Sequence, residues 1–155
     1  MTIKILFVCL GNICRSPTAH GVMDAQVKAR RLSSRIEVDS AGTSDWHIGR
    51  APDSRTIACA KHAGYDLSSL RARQATQADF FAFDYILAMD NNNLHELQKL
   101  KPAGFNGHLG LFLDILPDQP IREMPDPYYS DAQGFTQVLN LVEAACGLWI
   151  DRVLQ

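Results

Sequence analysis

The fold is decided by the stretch Ile3-Lys4-Ile5-Leu6-Phe7-Val8-Cys9-Leu10-Gly11-Asn12-Ile13-Cys14-Arg15-Ser16-Pro17. Residues 3–10 form an apolar run that only Lys4 interrupts, which is typical of a strand buried on both faces. Ser16-Pro17 then predicts a helix start, with Ser16 as the N-cap and Pro17 at the first helical position. The stretch therefore predicts a buried strand that passes through a short loop into a helix.

Strand and helix patterns alternate along the rest of the chain. Apolar runs predict strands at 36–41, 85–89 and 109–113. Helices are predicted from Ser16, at 53–63 and 91–99, and along the apolar stripe between Phe135 and Val153. This alternation predicts one α/β domain over residues 1–155, with a four-stranded parallel sheet flanked by helices on both faces. Ligands of such folds bind at the carboxyl ends of the strands, so the segment after Cys9 is the first candidate site.

Composition narrows the class of protein. The chain has 155 residues, 46% apolar and 21% charged, which suits one globular domain. The net charge of −2 argues against nucleic acid or a membrane surface as a partner. The first apolar run is too short to span a bilayer and lacks the layout of a signal peptide, so we expect a cytoplasmic protein. We also expect a monomer. The four cysteines are then expected to be thiols, and no CxxC pair has zinc spacing.

The residues that follow Cys9 predict an anion site. A helix N-terminus offers free N–H groups and a favourable dipole. Gly11 and Asn12 tolerate left-handed backbone, which lets successive N–H groups converge. Arg15 can add a bidentate fork to a tetrahedral oxyanion. The predicted phosphate-binding loop consists of Leu10, Gly11, Asn12, Ile13, Cys14 and Ser16.

Cys9 lies at the mouth of this loop. The groups that bind phosphate also stabilise a thiolate, so Cys9 is predicted to be a nucleophile aimed at phosphorus. The alternative is a small core residue at the end of a strand. The GxxxxGK[ST] pattern is absent, which excludes a nucleotide P-loop.

Asp126 is the candidate general acid for such a nucleophile. It stands in Met124-Pro125-Asp126-Pro127-Tyr128-Tyr129, where two prolines stiffen the chain. A departing phenolate needs a proton, and a positioned carboxylic acid can supply it. The alternative is that Asp126 only forms a turn between the prolines.

With these motifs, the chain resembles the low-molecular-weight protein-tyrosine phosphatases over nearly its whole length. The resemblance rests on residues 8–17, 39–43, 44–49 and 126–129. It implies a phosphotyrosine phosphatase I-like, Rossmann-like fold. It also implies Cys9 as the nucleophile, Arg15 as the phosphate and transition-state binder, and Asp126 as general acid and then base.

The resemblance further implies residues that support and surround the loop. Ser16 would donate to the thiolate, and Asn12, Ser40 and His62 would brace the loop by hydrogen bonds. The match at His62 carries an extra residue, so this histidine could equally be a half-exposed helix residue.

The rim of the site is expected to set specificity. Trp46, Tyr128, Tyr129 and Leu10 can wall a slot that an aryl phosphate fills and that phosphoserine is too short to use. Trp46 could instead be a core aromatic, and the two tyrosines could themselves be phosphorylated.

The expected function is hydrolysis of protein phosphotyrosine and small aryl phosphates, with tyrosine-phosphorylated proteins as partners and without metal or cofactor. One alternative is an arsenate reductase on the same scaffold, which would need two further cysteines before the third helix; residues 82–89 contain none. Another is a catalytically inactive phosphoprotein-binding module. Cys14 is hypothesised to form a protective disulfide with oxidised Cys9, or else to be a packing residue.

Overall fold

The computed structural model describes residues 1–117 and 120–155. Its elements, in chain order, are β1 (Ile3–Cys9), α1 (Arg15–Ala29), β2 (Ile36–Gly42), α2 (Ser54–His62), α3 (Asp79–Ala82), β3 (Tyr85–Ala88), α4 (Asn91–Leu100), β4 (His108–Leu111), a 3₁₀ turn (Phe112–Ile115) and α5 (Ala132–Val153).

The four strands form one parallel sheet in the order β2-β1-β3-β4. The predicted four-stranded parallel sheet with helices is therefore confirmed. β1 is a central strand, and its last residue, Cys9, is in register with Gly42 of β2. On its other side, Val8 is in register with Ala88 of β3. The loop after β1 thus leaves the sheet between two neighbouring strand ends.

Helices cover both faces of the sheet, which explains the continuous apolar run of β1. Side chains alternate between the faces along a strand. Ile5, Phe7 and Cys9 pack on the side of α1 and α5. Leu6 and Val8 pack on the side of α3 and α4. All five side chains are buried, so neither face of β1 tolerates polar residues.

The start of α1 differs from the prediction. The helix begins at Arg15, its N-cap position is Cys14, and no side chain caps it. Ser16 is not the N-cap because its hydroxyl lies 3.0 Å from the Cys9 sulfur and accepts from the Asn12 amide. Pro17 is the third helical residue, still within the first turn, where its missing N–H costs nothing.

The end of the fourth predicted strand also differs. β4 ends at Leu111, and the chain turns into the 3₁₀ segment at Phe112. The Phe112 carbonyl accepts from the Trp149 indole N–H at 2.8 Å instead of joining the sheet. Its ring packs edge-on against Phe7, with 5.2 Å between centroids. The short helix α3 was not predicted, since four residues are too few to show a helical period.

The segment that precedes Asp126 is tied to the same edge of the sheet as the loop after β1. The Met124 N–H donates to the Met89 carbonyl, just beyond β3, at 2.7 Å. This bond carries residues 124–129, called the acid loop below, to the carboxyl ends of the strands. Among residues 1–117 and 120–155, no helix has the length and apolarity that crossing a bilayer requires.

Candidate active site

Residues 9–16, called the phosphate loop below, are organised around Asn12. Asn12 has a left-handed backbone, with φ of 57°, and is only 2% exposed. Its backbone N–H donates to the Cys9 sulfur at 3.3 Å, and its side-chain amide donates to the Ser16 hydroxyl at 2.7 Å. Its side-chain oxygen accepts from the Arg73 backbone N–H at 3.0 Å. One buried residue thus contacts both ends of the loop, through its backbone N–H at Cys9 and through its side chain at Ser16.

The Cys9 sulfur is held by donors that suit a thiolate. Cys9 is 2% exposed at the end of β1. The Ser16 hydroxyl lies 3.0 Å from its sulfur and 3.3 Å from the Ala41 carbonyl. Because a thiolate has no proton, Ser16 would have to be the donor in that contact. With the Asn12 N–H, a thiolate would then receive two hydrogen bonds.

Two glycines let the backbone approach this loop closely. A Cβ on Gly42 would lie 2.7 Å from the Leu10 carbonyl oxygen and 3.1 Å from the Asn12 nitrogen. A Cβ on Gly11 would lie 2.9 Å from the His47 ring. Gly11 and Asn12 both tolerate left-handed backbone, but in this loop only Asn12 adopts it. Gly11 instead makes room for His47.

Arg15 is buried at the loop with its charge compensated. Its side chain is 3% exposed. One terminal nitrogen donates to Asp90 at 2.7 Å and to the Met124 carbonyl at 3.2 Å, and the other lies 3.5 Å from Asp126. Burial acts to lower the pKa of Arg15, but the electrostatic interaction with Cys9, the hydrogen bond to Asp90 and the charges of Asp126 and Asp90 raise it above its ordinary value. Arg15 is therefore a fixed cation.

Asp126 faces the same space from the acid loop. Its side chain is 46% exposed, and its second carboxylate oxygen accepts from the Tyr128 backbone N–H at 3.1 Å. The carboxyl group is thus both oriented and reachable by a bound molecule.

The predicted rim residues and most of the predicted loop line one cavity of about 260 Å³, whereas the loop residues Asn12 and Ser16 do not line it. Trp46, Tyr128 and Tyr129 form the mouth, and Tyr129 is 96% exposed. Trp46 is 67% exposed, so it is not a core aromatic. The two tyrosine rings meet edge-on, with centroids 4.9 Å apart. In the described part of the chain, no three His, Cys, Asp or Glu side chains cluster as metal ligands.

His62 does not brace the loop. It is the last residue of α2 and is exposed, and its side chain has no hydrogen bond within residues 1–117 and 120–155. The buried positions of α2 are Thr56 and Ala60, so His62 lies on the solvent side. The Asn12 side-chain oxygen accepts instead from the backbone N–H of Arg73, on the segment before α3.

Ser40 lies near the loop but does not bond to it. It is 5% exposed in β2, and its hydroxyl lies 3.0 Å from Nδ1 of His20 on α1. The predicted hydrogen bond from Ser40 to the loop is therefore replaced by a bond to the helix that follows the loop.

Cys14 lines the cavity but is 5% exposed. Burial raises the pKa of its thiol to about 12. Cys14 is therefore a neutral thiol at neutral pH, unlike an activated nucleophile.

Sequence reasoning missed Asp90 and Arg73. Asp90 directly follows Met89 at the carboxyl edge of the sheet, where polar residues often bind ligands, so its position gave a usable signal. It caps α4 through the Asn93 N–H at 2.8 Å with one oxygen and holds Arg15 with the other. Arg73 contributes a backbone N–H, which no side-chain pattern reveals.

The fold and the site together define an α/β protein in which the loop after the first strand brings a buried cysteine and a buried arginine to one cavity. The family model for low molecular weight phosphotyrosine protein phosphatase matches residues 4–155. A relative in Schizosaccharomyces pombe, named a low molecular weight phosphotyrosine protein phosphatase, is 42% identical over 134 residues, which are 86% of this chain and 85% of that protein.

Two solved structures share the fold. A protein tyrosine phosphatase from Entamoeba histolytica, with Hepes in its active site, has a TM-score of 0.93 and 39% identity over 98% of this chain and 97% of its own. A Drosophila arginine phosphatase has a TM-score of 0.92 and 30% identity over 99% of this chain and 99% of its own. The chain belongs to the low molecular weight phosphotyrosine protein phosphatase family and is a phosphatase.

Proposed function

We propose that this protein hydrolyses phosphotyrosine in proteins, and small aryl phosphates, through a phosphocysteine formed on Cys9. The observation that carries the proposal is the placement of the Cys9 sulfur at the base of the cavity with Arg15 and Asp126 beside it. A nucleophile, an oxyanion binder and a proton donor thereby face one bound monoester.

In the first step, the Cys9 thiolate attacks phosphorus and forms the S–P bond while the bond from phosphorus to the phenolic oxygen breaks. Asp126 gives its proton to the departing phenol, so that neutral tyrosine leaves. The loop N–H groups and the free edge of Arg15 stabilise the equatorial oxygens.

In the second step, the Asp126 carboxylate takes a proton from a water molecule that attacks phosphorus. The S–P bond breaks, phosphate leaves and the Cys9 thiolate is restored with hydrogen bonds from Ser16 and Asn12. Every proton and electron pair is accounted for by substrate, water and these side chains.

The walls of the cavity favour an aryl group. Trp46, Tyr128 and Tyr129 offer flat apolar faces, and together with Leu10 they surround a space that suits a phenyl ring. We propose that tyrosine-phosphorylated proteins are the substrates. The arsenate reductase alternative needs a relay of thiols, yet in the described residues Cys14 is the only other cysteine that lines the cavity.

The test compares peptides that carry phosphotyrosine, phosphoserine or phosphoarginine, with release of phosphate as the readout. We expect turnover of phosphotyrosine alone and a phosphorylated Cys9 peptide after rapid quenching. The phosphoarginine arm is included because a Drosophila arginine phosphatase shares the fold. Arsenate with thioredoxin tests the reductase alternative.

Cys9→Ser should retain binding of vanadate but lose turnover, because the N–H groups remain while a hydroxyl is a poor nucleophile. Cys59→Ser is the matched control, since Cys59 is half-buried on α2 and outside the cavity. Residual activity in Cys9→Ser above about a hundredth of wild type would refute the assignment of Cys9 as the nucleophile. Preference for phosphoarginine would refute the substrate class.

A further inference from the structure

Arg55, at the start of α2, joins three parts of the molecule that meet beside the cavity. Its guanidinium binds the Asp53 carboxylate as a fork, with Nε at 3.0 Å from one oxygen and a terminal nitrogen at 2.9 Å from the other. The same terminal nitrogen donates to the Tyr128 carbonyl at 2.9 Å. The guanidinium carbon also lies 4.8 Å from the ring centre of Phe135 on α5.

One end of this arrangement is fixed to the phosphate loop. The Asp53 backbone N–H donates to the Ile13 carbonyl at 2.8 Å. Asp53 is also the N-cap of α2 and accepts from the Arg55 backbone N–H. Its carboxylate is 12% exposed, and the hydrogen bonds from Arg55 hold the pKa of Asp53 below its ordinary value. Asp53 is thus a charged and firmly placed anchor.

The other end is the acid loop. The Tyr128 carbonyl that accepts from Arg55 belongs to the residue whose backbone N–H orients the Asp126 carboxylate at 3.1 Å. The Arg55 guanidinium also lies 5.4 Å from the Tyr128 ring centre, within cation–π distance. Movement of Tyr128 would therefore carry the carboxylate of Asp126 away from the leaving oxygen.

We propose that Arg55 is a positioning residue that holds the acid loop against the phosphate loop and acts on the reaction through Asp126. The inference rests on the proposed function, because it concerns the same proton-donating step. Arg55 does not line the cavity, so it has no direct contact with a substrate there. Its effect should appear only where the reaction needs the acid.

The experiment measures kcat/KM for a series of aryl phosphates whose leaving groups range from phenol to strongly acidic phenols. In Arg55→Gln we expect kcat/KM to fall about tenfold for phenyl phosphate and less than about twofold for the most acidic leaving group. The dependence on leaving-group pKa should thus become steeper. Arg55→Lys should be intermediate, since a point charge cannot serve the Asp53 fork and the Tyr128 carbonyl together.

Lys61→Gln is the matched control, because it removes one positive charge from the same helix at an exposed site. It should leave the leaving-group dependence unchanged. Asp53→Asn provides a second route: asparagine still caps α2, but it removes the charge that holds the guanidinium, so the slope should steepen in the same direction.

If the dependence of kcat/KM on leaving-group pKa is unchanged in Arg55→Gln, or if every leaving group loses the same factor, the positioning role is overturned. Hydrolysis of aryl phosphates by the wild-type protein would still support the proposed function in that case. A wild-type protein that hydrolyses no aryl phosphate would overturn both. Circular dichroism and thermal unfolding of each variant would show that the comparison is made between folded proteins.

Discussion

Replacement of Asp90 by asparagine should damage the site more than the loss of one charge suggests. One carboxylate oxygen of Asp90 accepts from Arg15 at 2.7 Å, and the other accepts from the Asn93 backbone N–H at 2.8 Å. Asparagine has a single side-chain oxygen. Its NH₂ group must therefore face either the guanidinium or the Asn93 N–H, which sets donor against donor.

The expected cost follows from the burial of the pair. The Arg15 side chain is 3% exposed and that of Asp90 is 20% exposed. Loss of one hydrogen bond between charged groups costs about 1.5–3 kcal/mol, and partial exposure of Asp90 favours the lower part of that range. We expect about 2 kcal/mol, which for a domain of this size lowers Tm by about 4–8 °C. If the same amount is lost in the transition state, kcat/KM falls about 30-fold.

The assay is thermal unfolding together with kcat/KM for an aryl phosphate. Asp131→Asn is the control, because Asp131 also caps a helix, through the Gln133 N–H at 3.1 Å, but faces no arginine. It should change both quantities little. Wild-type Tm and kcat/KM in Asp90→Asn, or an equal loss in Asp131→Asn, would refute the reasoning.

Three other outcomes are expected. Asp126→Asn should lower kcat/KM by about 10²–10⁴-fold for phenyl phosphate and far less for acidic leaving groups; an equal loss across a leaving-group series would make Asp126 structural. After peroxide, Cys14→Ser should recover less activity with dithiothreitol than wild type; equal recovery in the two proteins would exclude a protective disulfide. Burial lowers the pKa of His20 below its usual 6.5, so the unfolded chain binds more protons and the free energy of unfolding should decline as pH falls below that value. Urea unfolding of His20→Gln between about pH 5 and 8 should show a shallower decline than wild type, and an equal decline in the two proteins would contradict this prediction.

The fold could be predicted from sequence because its signals are local. Residues 3–10 are apolar on both faces, which occurs when helices cover both sides of a strand. The polar loop that follows had to leave the sheet at a carboxyl end. The observed ends of elements differ from the predicted ones where tertiary contacts compete with the sheet. Phe112 lies outside β4 because its carbonyl accepts a hydrogen bond from the Trp149 indole N–H. A short helix such as α3 offers too little periodicity to detect.

The site was predictable where one short segment carries it and was missed where distant segments meet. Residues 9–16 hold the proposed nucleophile, the proposed anion binder and the proposed thiolate donor within one short segment. For His62 the sequence left two interpretations open, loop support or a helix residue, and the structure has it exposed at the end of α2, while the bond to the Asn12 side-chain oxygen comes from the Arg73 backbone N–H. Asp90 and Arg55 lie far from Cys9 in sequence, and only the sheet order and the paths of the loops bring them to the site.

The two terminal nitrogens of the Arg15 guanidinium have different partners. One terminal nitrogen is committed to the protein by strong bonds to Asp90 and to the Met124 carbonyl. The other has only the 3.5 Å contact with Asp126, at the limit of a hydrogen bond, so it can turn to an incoming phosphate at little cost. A lysine has one charged nitrogen, which could not bind Asp90 and an incoming phosphate with the same geometry at once. Under the proposed function, the carboxylate of Asp90 would contribute to phosphate binding without touching the phosphate, because it fixes which terminal nitrogen of Arg15 remains free.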